Sequence, residues 1–207
     1  MKHSYLSFFM IALVALTLVM PSCKNSVKFS ATVTAGDDDS TQVDTLWNDS
    51  IQHEFFETPF GASRQDVIDN FTKHGFVLLD DMSDDDMLIF GHKGAETYPF
   101  GGMQWENLTV YLTNGKFSGI SFYTPREDKD SAMKDYDAIV KVLSQKYQLT
   151  ESQPDSTMYK VTRAYSHTPY IVGVGCYSYD SADGKKCYTS SLDYNDLELG
   201  NQPSAEL

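Results

Sequence analysis

Two stretches of helical periodicity, each followed by runs of strand-forming residues, constrain this chain more than any other feature. Met133, Tyr136, Val140, Leu143 and Tyr147 fall at spacings of 3, 4, 3 and 4, one continuous apolar stripe along a helix from about 131 to 147. A shorter helix is predicted from the capping box Ser63-Arg-Gln-Asp66, with Val67, Ile68 and Phe71 on one face and Gly75 as its stop. Strand-forming runs at 76–79, 87–91, 108–112 and 117–123 precede the second helix, and runs at 158–165, 170–179 and 186–194 follow it. Asn114-Gly115 and Asp183-Gly184 read as hairpin turns. The expected fold class is α+β, with two helices packed on one face of a largely antiparallel sheet of about seven strands.

Two hairpins leave a question of register. A two-residue type I′ turn at Asn114-Gly115 pairs Leu108 with Ser121 and Val110 with Gly119. A three-residue loop with Gly115 in a G1 bulge pairs Leu108 with Ile120 and Val110 with Ser118. The second solution is expected, because it gathers Ile120 and Phe122 on the face of Leu108, Val110 and Leu112. At the later hairpin, register decides whether Cys176 and Cys187 form a disulfide. Cys176 opposite Cys187 puts both on one face, whereas 179 opposite 187 sends them to opposite faces. The sequence leaves both open.

Residues 1–23 carry an address. Lys2 and His3 precede an apolar run from Leu6 to Met20, long enough for a secretory h-region and short of a membrane span. Pro21-Ser22-Cys23 follows. This arrangement resembles the lipobox of bacterial lipoproteins, with Met20 and Pro21 standing where that family has Leu and a small residue. The resemblance implies that residues 1–22 are a cleaved signal peptide and that Cys23 is lipidated, its acyl chains holding the protein to a membrane. Lys24-Asn25-Ser26 has neither the Asp that retains some lipoproteins in the inner membrane nor the acidic cluster that exports others. The expected location is the cell envelope, anchored in the outer membrane and facing the periplasm.

Residues 23–51 then read as a lipid-anchored flexible tether, polar and without apolar periodicity, with an r.m.s. reach of roughly 30 Å. Residues 52–196 form the expected single α+β domain, and 197–207 an acidic disordered tail. Asp39-Ser40-Thr41, Asp44-Thr45-Leu46 and Asp49-Ser50-Ile51 resemble the triplet at which one group of Gram-negative anaerobes O-glycosylates exported proteins. That resemblance marks Ser40, Thr45 and Ser50 as candidate O-glycosylation sites. The body is similar in another respect to a known group. Its two halves each run helix, strands and Gly-centred hairpin, with Lys73-His-Gly-Phe76 and Lys146-Tyr-Gln-Leu149 at corresponding points. This resembles the tandem helix-plus-sheet repeats of β-lactamase inhibitor proteins and small outer-membrane assembly lipoproteins, and implies two tandem α-β-meander units.

The 16 Lys+Arg against 29 Asp+Glu exclude a nucleic-acid binder, which needs clustered cations for phosphate. Sequence motifs for catalysis are missing: there is no Gly-x-Ser-x-Gly elbow, no His-Glu-x-x-His and no phosphate loop. Ser131-Ala-Met-Lys134 lacks the companion motifs of a penicillin-binding site. No cofactor is expected, and Asp84 and Asp86 of the acidic loop are the weak candidates for a metal. Tyrosine is abundant, at 13 residues, so Tyr177, Tyr179 and Tyr188 with Trp105 are the candidate binding face. The functional expectation is a membrane-anchored envelope lipoprotein acting as a non-catalytic binding or adaptor module for an envelope protein or glycan. The alternative is a hydrolase or glycan-processing enzyme whose carboxylate pair the sequence does not single out.

Overall fold

Helix α1 (Arg64–Lys73) begins where the sequence reads a capping box. Ser63 is extended, its Oγ accepts from the Asp66 amide at 3.2 Å, and Asp66 Oδ2 accepts from the Ser63 amide at 3.2 Å. Gly75 takes φ +92°, the left-handed conformation that ends the helix. Helix α2 (Lys129–Leu143) is capped by Asp128, which accepts from the Ser131 amide at 2.8 Å. Its buried face is Ala132, Tyr136, Ile139 and Leu143, with Met133 and Val140 half-buried alongside. The helix stops four residues short of the expected end, because tighter turns close the chain from Ser144 to Tyr147, and Tyr147 is buried from the turn.

The computed structural model describes residues 47–154, 157–181 and 184–201. Among them no helix is long and apolar enough to cross a membrane. The strands are β1 (Trp47–Asn48), β2 (Glu54–Phe55), β3 (Thr58–Pro59), β4 (Phe76–Leu78), β5 (Met87–His92), β6 (Tyr98–Phe100) and β7 (Met103–Trp105). β8 (Asn107–Thr113), β9 (Lys116–Arg126), β10 (Thr150–Ser152), β11 (Met158–Ser166), β12 (Tyr170–Asp180) and β13 (Lys186–Asp196) complete them. Nine strands make one sheet in the order β1-β11-β12-β13-β9-β8-β5-β4, with β10 also paired to β11. Seven are the strands that the sequence indicates, and β1 and β10 are short additions at one edge. All pairs are antiparallel except β1–β11. The fold is mixed α+β, with α1 and α2 on the same face of the sheet and a third, four-residue helix α3 (Leu197–Gly200) after β13.

The core lies between that face and the two helices. Phe122 stacks on Phe100 at 4.0 Å between ring centroids and has Phe55, Tyr98 and Trp105 around it. Phe71 of α1 meets Phe76, Phe90 and Phe117, and Ser190 Oγ of β13 donates to the Ala132 carbonyl of α2 at 2.7 Å. Phe55, from the short β2–β3 hairpin that leads into α1, plugs the same core.

Three sequence expectations are corrected by the structure. At the first hairpin, Leu108 pairs with Phe122 and Val110 with Ile120, so neither expected register holds. The turn is the two-residue one, with Asn114 at φ +52° and Gly115 at φ +70°, and Ser118 bulges just after it. The bulge is held by its own hydroxyl, which donates to the Tyr111 carbonyl at 3.2 Å and accepts from Thr113 at 3.0 Å. The body also begins earlier than residue 52: Trp47–Asn48 pairs with β11, and Ile51 is buried. It ends later than 196, because Asp196 Oδ1 caps α3 by accepting from Glu198 and Leu199 amides, so 197–200 are helix and not tail. Residues 202–207 lie outside the described residues.

Candidate functional site

Side chains alternate between the faces of a strand, so pairing alone fixes what covers the face away from the helices. Across its middle the register reads Ile89, Thr109, Ser121, Asp193, Gly173 and Arg163. One flanking row reads Met87, Tyr111, Gly119, Asn195, Ile171, Tyr165 and Trp47. The other reads Asn107, Tyr123, Ser191, Gly175 and Val161, and beyond it Pro125 and Thr189 lead to Tyr177. Among the described strand residues that the register puts on this face, Asp193 is the one carboxylate.

Thr109, Ser121, Thr189 and Ser191 are buried on this helix-free face, which neither α1 nor α2 covers. Tyr177 leans over Gly175: a Cβ there would meet Tyr177 Cδ1 at 3.8 Å and Ser191 Oγ at 3.7 Å. Glycine is required at 119, where a Cβ would stand 2.5 Å from Asn195 Oδ1. Ser191 donates to Asp193 Oδ2 at 2.6 Å. Burial pushes the Asp193 carboxyl above its usual range, against the hydrogen bonds of Ser121 and Ser191 and the charge of Arg163. The Tyr177 phenol is pushed well up by burial and then by the Asp193 charge, so it remains a protonated donor at any physiological pH. Tyr111 responds to the same two causes while leaving 43% of its surface exposed.

The Asp193 shift gives a signed expectation. A raised carboxyl binds more protons folded than unfolded from about its ordinary value of 3.8 up to its folded pKa, so stability falls as pH rises through that window. Asp193→Asn is expected to flatten that fall, measured as urea midpoints across the acid range. Identical profiles for the two chains would count against the raised Asp193 carboxyl.

Of the four residues singled out as a binding face, Tyr177 and Tyr179 do lie together here, both half-buried. Tyr188 does not: it pairs with Ser178 and Arg126 on the helix side and stacks on Tyr159 at 6.2 Å. Trp105 is 2% exposed, part of the core, its Nε1 donating to the Phe100 carbonyl at 2.9 Å. The β6–β7 hairpin, too short to read from periodicity, folds it inward.

Cys176 and Cys187 are both free. Tyr179 stands opposite Cys187 and Ser190 opposite Cys176, so the thiols lie on opposite faces and no disulfide forms. In a Cys23→Ala chain, native protein is expected to expose one reactive thiol, Cys187, and to release the second only on unfolding. Loss of both thiols under oxidant, with a bridged mass, would contradict the register.

Asp84 and Asp86 belong to an Asx turn, the Asp86 amide donating to Asp84 Oδ1 at 2.9 Å, and no group of three metal-ligating side chains occurs among the described residues. Ser50 is exposed, but Ile51, the apolar residue of its triplet, is 1% exposed and part of the core. Cys23, Ser40 and Thr45 lie outside the described residues.

Two hollows stand out on the surface of the described residues. An open trough of about 910 Å³ runs between residues 47–54 and 144–148, spanned by paired hydrogen bonds of the Asn48 amide with Gln148. A small one of about 50 Å³ lies beside Asp193 on the face away from α1 and α2, bordered by Arg163, Asn195, Met158, Val161 and Ile171 and by Leu197 at the start of α3. Comparison with family models, with curated proteins and with solved structures finds no match to this chain.

Proposed function

We propose that the protein is an envelope lipoprotein, tethered through Cys23 in the outer membrane and facing the periplasm, whose body is a non-catalytic binding module. Its ligand, an envelope protein or glycan, docks on the helix-free face of the sheet. The observation that carries this reading is the surface of Tyr111, Tyr123, Tyr177 and Tyr179 around a strip of small polar residues that neither α1 nor α2 covers. Rigid aromatic rings with polar tips give contact area at little entropic cost. The hydrolase alternative draws no support from this face, where glycoside chemistry needs two carboxylates and the register supplies Asp193.

The body is further read as two tandem units. The order helix α1 then β4-β5-β8-β9, and helix α2 then β10-β11-β12-β13, with β9 and β13 pairing last strand to last strand, supports that reading. It also explains why the docking face is broad: each unit contributes half of it, and the seam between β9 and β13 carries Ser121 and Asp193.

The test uses a full-length Cys23→Ala chain, freed from lipid, and isolated envelopes of the cells that make it. Retention on envelopes that falls with Tyr111→Ala/Tyr177→Ala, and survives Tyr159→Ala on the helix side, is the expected result. Equal retention of all three chains would remove the face from consideration.

A further inference from the structure

The 50 Å³ hollow beside Asp193 belongs to the proposed docking face, and a ligand assigned to it rests on that docking reading. It is open because β12 supplies glycine where other side chains would fill it: Gly173 stands opposite Asp193, and Gly175 opposite Ser191. Charge and size decide what can enter. One carboxylate and one guanidinium border the hollow, so a lone anion meets Asp193 and a lone cation meets Arg163. Its volume suits a hydroxyl or hydroxymethyl group, since a water's share of liquid is about 30 Å³. An aromatic side chain is far too large.

The lining is mostly apolar, from Met158, Val161, Ile171, Val174 and Leu197, with three polar groups set into it. Asp193 accepts, Arg163 donates and Asn195 does both, which matches a hydroxyl on an apolar carbon, itself donor and acceptor. Tyr111 lies across Gly119 from Asn195, and its exposed ring offers a flat apolar surface for the C–H face of a sugar ring. A protein partner would want a contiguous apolar patch at the centre of its footprint. The exposed large hydrophobic residues among those described are Trp47, Val77 and Tyr111, and the first two sit on strands at opposite edges of the sheet.

We propose that this face takes a neutral glycan of more than one sugar: one hexose ring lies on Tyr111 while a hydroxyl or hydroxymethyl group of a neighbouring sugar, two to three strands away, enters the hollow between Asp193, Asn195 and Arg163. Gly173→Val, which fills the hollow from the opposite strand, is the most direct block.

The experiment again measures retention of the Cys23→Ala chain on isolated envelopes, now pretreated in one of two ways. Mild periodate, which cleaves vicinal diols, is expected to lower retention about tenfold or more, while protease pretreatment leaves it unchanged and added salt has little effect. Asp193→Asn and Gly173→Val are each expected to lower retention about tenfold, with protection of the Cys176 thiol reporting that the variants remain folded. Retention abolished by protease and indifferent to periodate overturns the glycan and leaves the docking reading standing with a protein partner. A steep loss with salt overturns it in favour of a charged ligand. Retention insensitive to both treatments, or variants that stay folded and bind as before, also overturns it. Absence of any retention by the parent chain removes the docking reading itself.

Discussion

Replacing Phe122 with alanine is expected to lower the stability of the fold by about 3–5 kcal/mol, a large part of the roughly 5–15 kcal/mol that holds a typical domain together. Phe122 has no exposed surface and sits where every layer meets. It pairs with Leu108 on β8 and Leu192 on β13, and its ring touches Phe55, Tyr98, Phe100 and Trp105. Phe55 and Phe100 come from short hairpins and are seated between this ring and Tyr194. Truncation therefore leaves a cavity that a rigid sheet cannot collapse to fill. Urea denaturation of the Cys23→Ala parent and the Phe122→Ala chain measures the difference. A loss under about 1 kcal/mol would mean that the hairpins carry themselves.

The second large effect concerns binding. Tyr111→Ala/Tyr177→Ala is expected to weaken retention on envelopes by about 30-fold or more, the equivalent of one strong aromatic contact of about 2 kcal/mol. Stability should change little by comparison at Tyr111, which is 43% exposed, whereas Tyr177 is half-buried over Gly175 and Ser191. The single variants separate the two contributions. Tyr177→Phe keeps the ring and removes the hydroxyl that accompanies Ser191, so retention kept by phenylalanine and lost by alanine assigns the effect to the ring face.

Much of the architecture is legible in the sequence because it is periodic. The α2 stripe and the Ser63–Asp66 box mark both long helices, and seven of the nine sheet strands stand out as apolar runs. The strands that the sequence hides are two or three residues long, β1, β2, β3, β6, β7 and β10, too short to show a period. Trp105 is misread for that reason: its hairpin is invisible until Tyr98 is seen opposite it. Tyr188 is misplaced for another. Alternation assigns a residue to a face only once register is known, and Tyr188 is one position out of phase with Thr189, the partner of Tyr177.

The site itself is the least legible part. Its signal is spread over three strands as small residues, Gly119, Ser121, Gly173, Gly175 and Ser191, none of them distinctive in its own segment. Strand β13 does carry a local hint: Ser191, Asp193 and Asn195 alternate with Leu192 and Tyr194, polar on one face and apolar on the other. The polar face of that strand points away from α1 and α2. The Ser118 bulge is equally hidden, because its cause is a hydroxyl that bonds the backbone of the facing strand and leaves no trace in hydropathy.

Docking on the helix-free face is tested most directly by a photo-crosslinking residue at position 179, on that face, and separately at Lys134, exposed on α2, in the lipid-anchored protein of intact cells. Envelope adducts are expected from position 179 and none from 134. Adducts from 134 alone, or from both positions equally, would contradict a binding face on the helix-free side of the sheet.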